Sequence, residues 1–345
     1  MMGTFLGIDY PTWWYLVVGA LFTGYAILDG FDLGAGGWHL FLRKEESRRI
    51  ALNAVGPVWD GNEVWLVIGG GALFAGFPEL YATLFSALYI PFMLFLAFLI
   101  LRAVSIEFRG KEPMAWWRRL WDTLYGVSST ALGVLLGVVL GNVLQGIAMD
   151  ADHVYRGSWL AFLNPYALLT GLTTQALFMV HGAIYLGMKT EGRLFARLFL
   201  LLKQAMLVFV LLFVGLTAYT LLSLPHLTDR FLQEPWLAAL PFLAFLSIAN
   251  VPRLINRKRF KLAFGFSSIA VALLLMVVAV ELYPVLLIST LDPAWSLTVY
   301  NAASSEKALR IMLGFAAVGT PLVLGYTFFV YRTFYGKVRL DEHSY

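Results

Sequence analysis

Cysteine is absent from the 345 residues. Disulfides, thiolate nucleophiles, Cys-ligated iron–sulfur clusters and Cys-type zinc sites are therefore excluded. Charge is scarce as well. Asp, Glu, Lys and Arg make up 13% of the chain, about half the usual share for a soluble domain. No P-loop, dinucleotide fingerprint or H-E-x-x-H pattern occurs. Gly69-Gly70-Gly71 lacks the Lys and Ser/Thr that a phosphate cradle needs. Low-complexity tracts and charge blocks are missing too, which argues against a soluble appendage or a nucleic-acid partner despite the formal charge of +4. A short-cored leader is not seen either. "MMGTFLGIDYPTWW" runs directly into a long apolar stretch, so the N-terminus is expected to be retained.

What remains is apolar: 60% of residues are hydrophobic and 16% aromatic. About 20 such residues in a row cross a bilayer as a helix. Stretches of that kind fall near 13–42, 52–71, 80–101, 121–143, 163–188, 197–222, 236–251, 262–284 and 307–332. The expectation is an all-α integral membrane protein, a bundle of about nine helices forming one polytopic domain over residues 1–345. The seventh span, between Pro235 and Pro252 with Pro241 inside, is the shortest. Eight or ten spans are the alternatives.

The basic residues supply a check. Of 25 Lys and Arg, 21 follow odd-numbered spans, and only Arg156, Arg230, Lys307 and Arg310 fall on the other side. The positive-inside rule then puts the N-terminus outside and the C-terminus in the cytoplasm. Arg102 reads as a mark of the inner boundary, or else as a partner for a carboxylate. Trp13, Trp14, Trp116, Trp117 and Trp121 suit interfacial aromatic belts. Gly133, Gly137 and Gly141 recur every four residues and suit close helix packing.

Against this background four acids stand out, in "DGFDLGAGGWHL" and "WDGNEVWL". Asp29 and Asp32 are three apart on the first span, and Asp60 and Glu63 three apart on the second, so each pair shares a helix face. Asp32 lies 11 residues before Arg43 and Asp60 lies 11 after Arg49, which puts both roughly 16 Å inward if the helices are regular. Asp29 and Glu63 lie 14 residues from the same arginines, roughly 21 Å inward. A charge at mid-membrane costs about 2.5 to 3.5 kcal/mol, so such acids need protonation, a cation, hydrogen bonds or a partner chain. Three readings stay open: a proton relay, caps for glycine-loosened kinks, and cation coordination in a transporter.

Five histidines are present. His153, His226 and His343 fall in loops or the tail, His39 near the inner end of the first span, and His181 within a helix. A lone His181 suits a helix–helix hydrogen bond, with Gln175, Thr174 or another span, better than an axial haem ligand.

"GFDLGAG", "WDGNEVWL", "GNVLQG" and "LDPAWSLTVYNAASS", in this order and spread over nearly the whole chain, resemble subunit II of the cytochrome bd-type quinol oxidases. The resemblance implies a multi-pass protein of a bacterial or archaeal cell membrane. It further implies a terminal oxidase of a respiratory chain in which a related subunit I carries haems b and d and the quinol site, and dioxygen is reduced to water. On that resemblance this chain binds no haem or metal and has no catalytic residue of its own. Asp60 would belong to a cytoplasmic proton path, with Asp29 beside it, Asp32 and Glu63 as further members, and Trp65 on an oxygen route. A bound quinone or lipid and small single-helix accessory subunits are also implied. The alternative from the acids alone is a self-sufficient proton- or cation-coupled transporter. Purification separates the two: the oxidase reading expects a haem-bearing companion and no visible absorption from this chain alone.

Overall fold

The computed structural model describes residues 3–340; His343 lies outside them. A hairpin of β1 (Thr4–Phe5) and β2 (Ile8–Asp9) leads into α1 (Tyr10–His39). Asp9 caps that helix by accepting from the Thr12 amide at 2.8 Å, and Pro11 sits where no amide hydrogen is needed. The chain continues through α2 (Glu45–Val55), α3 (Trp59–Gly76), α4 (Pro78–Ala87), α5 (Tyr89–Phe108) and α6 (Ala115–Gln145). Next come α7 (Pro165–Lys189), α8 (Gly192–Ser223), the short α9 (Asp229–Gln233), α10 (Ala239–Asn256) and α11 (Phe260–Leu282). A second hairpin, β3 (Val285–Leu287) with β4 (Leu297–Thr298), precedes α12 (Glu306–Thr333).

Among the described residues eight helices are long and apolar enough to cross a membrane. The pair α3 and α4, bent by 118° at Phe77, makes nine. The count agrees with the hydropathy of the sequence, but two spans are displaced. Gly56-Pro57-Val58 separates α2 from α3, so the second span begins at Trp59 rather than at 52. The third begins at Tyr89 rather than at 80, because α4 is spent on the bend. Both shifts have one cause. Apolar composition runs through a break unchanged, while Pro57 and Pro78 end or restart the hydrogen-bond ladder. In the seventh span Pro241 falls in the first turn of α10, where its missing N–H is harmless, and the helix continues through Pro252 to Asn256.

At the centre, α1 packs against α3, α6, α7, α11 and α12. The α1–α7 crossing is a backbone contact. A Cβ on Gly34 would lie 1.7 Å from the Phe178 carbonyl oxygen, and one on Gly182 would lie 2.4 Å from the Ala35 nitrogen. The glycine repeat of α6 has the packing role expected for it. A Cβ on Gly137 would come within 2.6 Å of the Gly171 Cα, and one on Gly141 within 2.7 Å of the Ala167 Cα, both on α7. α12 is peripheral, with Leu309 its one fully buried residue and Phe315, Val318 and Leu322 exposed.

The two ends of the bundle differ. At one, polar contacts tie irregular backbone together: the Ser304 amide and hydroxyl donate to Gly76 O (2.8 Å) and Ala75 O (2.6 Å), covering orphan carbonyls of α3. The Ile147 amide donates to Ile288 O at 3.0 Å, joining the two longest connections. At the other end Arg197 reaches Phe41 O, Lys189 reaches Phe334 O, and Lys337 reaches Thr190 O. The loops rich in Lys and Arg therefore meet one another, as the charge pattern requires.

Substitution tests the crossing. Gly182→Val drives methyl groups into the α1 backbone, an overpacking cost of about 3 kcal/mol or more. The variant is expected to be lost from the membrane fraction. Gly265→Val, with nothing within 4 Å of its added Cβ, should accumulate normally in the same fluorescence-detected size-exclusion assay.

Candidate functional site

Because α5 runs from Tyr89 to Phe108, Arg102 is a residue of the span interior, not of the boundary. Its side chain is fully buried. Nη2 donates to Asp29 Oδ1 at 2.6 Å and Nη1 to Asp29 Oδ2 at 3.1 Å, a bidentate pair between α5 and α1. Nη1 also approaches Glu63 Oε2 at 3.4 Å, and that carboxylate is half-buried on α3. Asp29 and Glu63 thus do share a level, as the residue counts suggested, and what joins them is a cation.

Asp32, one turn further along α1, faces a different set. It is fully buried; Oδ2 accepts from Asn62 Nδ2 at 2.7 Å, and Oδ1 has no side-chain or backbone partner. Asn62 in turn accepts from the Tyr331 hydroxyl at 2.9 Å, so α1, α3 and α12 are tied through one amide. Asp60 does not join Asp32. It lies exposed in the first turn of α3, one turn from Glu63, with no side-chain hydrogen bond or ion pair among the described residues. Equal counts from Arg43 and Arg49 do not bring the two acids together, because Asp60 is exposed whereas Asp32 is fully buried. Neither Asp29 nor Asp32 caps a kink: α1 is continuous, and its glycines serve close packing.

Trp65 is buried, its ring over Gly24 of α1, where a Cβ would come within 2.5 Å of Cε3.

A second polar tier lies toward the basic end, and the sequence analysis did not find it. Asp122 of α6 is buried and receives three partners: His39 Nε2 at 2.5 Å, Arg109 Nε at 2.6 Å and Arg48 Nη1 at 3.0 Å. Arg109 also donates to both oxygens of Glu45. The tiers are in register, since His39 follows Asp32 by seven residues on α1 and Arg109 follows Arg102 by seven near the end of α5, roughly 10 Å. Between them, Ser129 and Tyr125 of α6 lie against Gly36 of α1. The hydroxyls of Ser128 and Ser129 are buried without partners. A sequence signal did exist: Arg102 and Arg109 stand on one helix face, a spacing that links an inner cation to an outer one.

A family model described as cytochrome bd terminal oxidase subunit II matches residues 10–334. The chain belongs to that family. It is 32% identical to the cytochrome bd-I ubiquinol oxidase subunit 2 of Escherichia coli K12, covering 97% of both chains. It is 34% identical to the cytochrome bd ubiquinol oxidase subunit 2 of Bacillus subtilis, covering 95% of this chain and 97% of the relative. Among solved structures, the bd oxidase from Geobacillus thermodenitrificans superposes with a TM-score of 0.78 at 20% identity, over 94% of this chain and 98% of that one, a likeness of fold. A bd oxidase subunit II is a multi-pass membrane protein working beside a subunit I, within a quinol-oxidising, oxygen-reducing enzyme. Nothing favours the solitary transporter.

The family implies haems in the complex, and in this chain the two histidines of the spanning helices, His39 and His181, are both engaged in hydrogen bonds. His181 is fully buried with both ring nitrogens engaged, Nδ1 with Ser267 Oγ at 2.8 Å and Nε2 with Ile27 O at 3.0 Å. It stitches α7 to α11 and α1, the interhelical bond expected of it, with partners other than Gln175 or Thr174. His39 Nε2 is held by Asp122. Among the described residues no three His, Asp or Glu converge as a metal site.

The Arg102 cluster has a measurable signature. Arg102→Leu leaves two carboxylates beside each other without a cation, at a cost of about 3 to 5 kcal/mol. Arg102→Leu combined with Asp29→Leu removes both buried charges and should regain most of that loss. The unfolding temperature of the detergent-solubilised complex decides; additive losses in the double variant would show that the pair is uncoupled.

Proposed function

We propose that this chain is the haem-free half of the oxidase, that residues 1–345 act as one polytopic unit with the basic end in the cytoplasm, and that it conducts protons toward subunit I. The observation that carries this reading is the division of the four acids. Asp29 is neutralised by Arg102 and fixed by two short bonds, which suits a strut better than a relay rung. Asp60 is its opposite, a carboxylate on the outward face of α3 with Val64 and Val67 exposed beside it. Hydrocarbon is a poor neighbour for that side chain. A subunit seated on α3, and on the unburied α12, would cover it and receive its proton.

In the same reading Asp32 is fed from the basic end. Asp122 and His39 form the entrance, the Tyr125 and Ser129 hydroxyls stand midway, and the unpartnered Oδ1 of Asp32 accepts. Glu63, shared between Arg102 and the outer surface, sits between the strut and Asp60 and tunes both. Trp65 holds α3 on α1 and so fixes where Asp60 points, and the oxygen route would pass the same buried ring. Lipid, a quinone and single-helix accessory subunits are left to the remaining apolar faces.

Asp60→Asn keeps shape and removes the exchangeable proton. Quinol-driven oxygen uptake is expected to fall roughly tenfold or more, with haem content and subunit ratio unchanged. Normal uptake would end the reading, and haem loss with subunit dissociation would make Asp60 a structural contact instead. Ser129→Ala should slow uptake several-fold without altering the haem spectra.

A further inference from the structure

A cavity of about 460 Å³ opens at the basic end of the bundle, where α7 ends and α11 begins. Four of its lining residues are cations, Lys258, Arg259, Lys261 and Lys337, and none is a carboxylate. Among the described residues none of the four makes a salt bridge. Its floor is apolar, with Phe195 and Phe260 among the lining side chains. A pocket of concentrated positive charge over a hydrocarbon floor, at the level where a helix leaves the membrane, matches the two halves of an anionic amphiphile.

The backbone of the α10–α11 turn favours the same conclusion. Lys258 has φ +58, a left-handed conformation that glycine or asparagine adopts with less strain. The turn is nonetheless closed by two backbone bonds, from the Lys258 amide to Ile255 O at 2.8 Å and from the Arg259 amide to Leu254 O at 3.0 Å. Lysine at this position therefore carries its ammonium there at a cost in backbone strain. Lys337 is likewise positioned, donating to Thr190 O at 2.8 Å and Gly187 O at 3.3 Å, with its ammonium 5.9 Å from the Phe195 ring. Lys261 is steadied against Tyr335, 4.7 Å from its ring. The cations are therefore placed by the fold around one opening. No side chain caps α11, whose first-turn amides begin at the same place and add to the positive potential.

We propose that this cavity binds the phosphate headgroup of an anionic phospholipid, its acyl chains running down the apolar floor between α8 and α11. The site lies apart from the carboxylate cluster and does not depend on the proton reading. The lipid would add to the direct contacts that already join the ends of α7, α11 and the segment after α12.

The test uses the intact oxidase reconstituted in phosphatidylcholine bilayers with spin-labelled phosphatidylglycerol as a minor component. Motionally restricted label at the protein surface reports preference for the anionic lipid over labelled phosphatidylcholine. Lys258→Gln, Arg259→Gln and Lys261→Gln together should lower that preference roughly tenfold. Lys258→Gly should lower it severalfold while leaving the unfolding temperature unchanged or higher, because the strain is relieved as the charge is lost; it decides the matter if the triple variant fails to assemble. Inorganic phosphate should not displace the label. An undiminished preference in the variant that assembles, or full displacement by inorganic phosphate, overturns the proposal; the latter result marks a soluble-anion site.

Discussion

The bidentate contact between Arg102 and Asp29 is the constraint on which the interior depends. Both side chains are fully buried, so neither can be hydrated, and each is tolerable only because the other is there. The pair sets the rotation and depth of α5 against α1. Glu63 draws α3 to the same cation, and Asn62, on that helix, then meets Asp32. A neutral packing of the same helices would permit sliding, because lipid and leucine are equally apolar and no hydrophobic force selects a register. Charge supplies the register here. The glycines supply proximity, since Gly34 and Gly182 bring α7 so close to α1 that His181 reaches the Ile27 carbonyl.

Much of this architecture was legible in the sequence, because the bilayer imposes a length on apolar runs and the charge rule imposes an alternation on their ends. Those two constraints return nine spans and segregated basic loops. They are blind to hydrogen-bond geometry, and the errors cluster there. The interruption at Gly56-Pro57-Val58 and the bend at Phe77 leave hydropathy unchanged, so the second and third spans were drawn several residues too early. That displacement made Arg102 look like a boundary residue. One misplaced helix end thus favours the boundary reading of Arg102 over its alternative, a partner for a carboxylate, which is the central interaction of the site. Asp122 escapes the sequence for a related reason: Arg48 and Arg109 count there as a topology signal, which conceals that both, with His39, pair with it. The short hairpins were invisible because two-residue strands carry no period.

Family membership and physical geometry bear on different questions. Kinship over residues 10–334 says in which enzyme the chain serves. It does not say why a subunit whose histidines are engaged elsewhere should carry charge so deep. The two tiers supply an account. Both draw on α1 and α5, with α3 completing one tier and α6 and α2 the other, about two turns apart, and hydroxyls without partners lie between them. Buried polar atoms in that state are costly unless water or an exchangeable proton visits them. Their retention in a membrane interior is more readily understood as conduction than as packing.

The contrast between Asp29 and Asp60 then follows from the fold rather than from residue type. Both are aspartates near glycines on neighbouring helices, and composition cannot rank them. Placed in three dimensions, one faces a guanidinium and the other faces outward beside valines. The Asp29 carboxylate is held at 2.6 Å by a buried guanidinium, an anchor that fixes its position. The outward aspartate has no such anchor among the described residues. In the proposed reading Asp60 is covered at the boundary with subunit I, and the buried ion pair fixes the helices on which that boundary would rest.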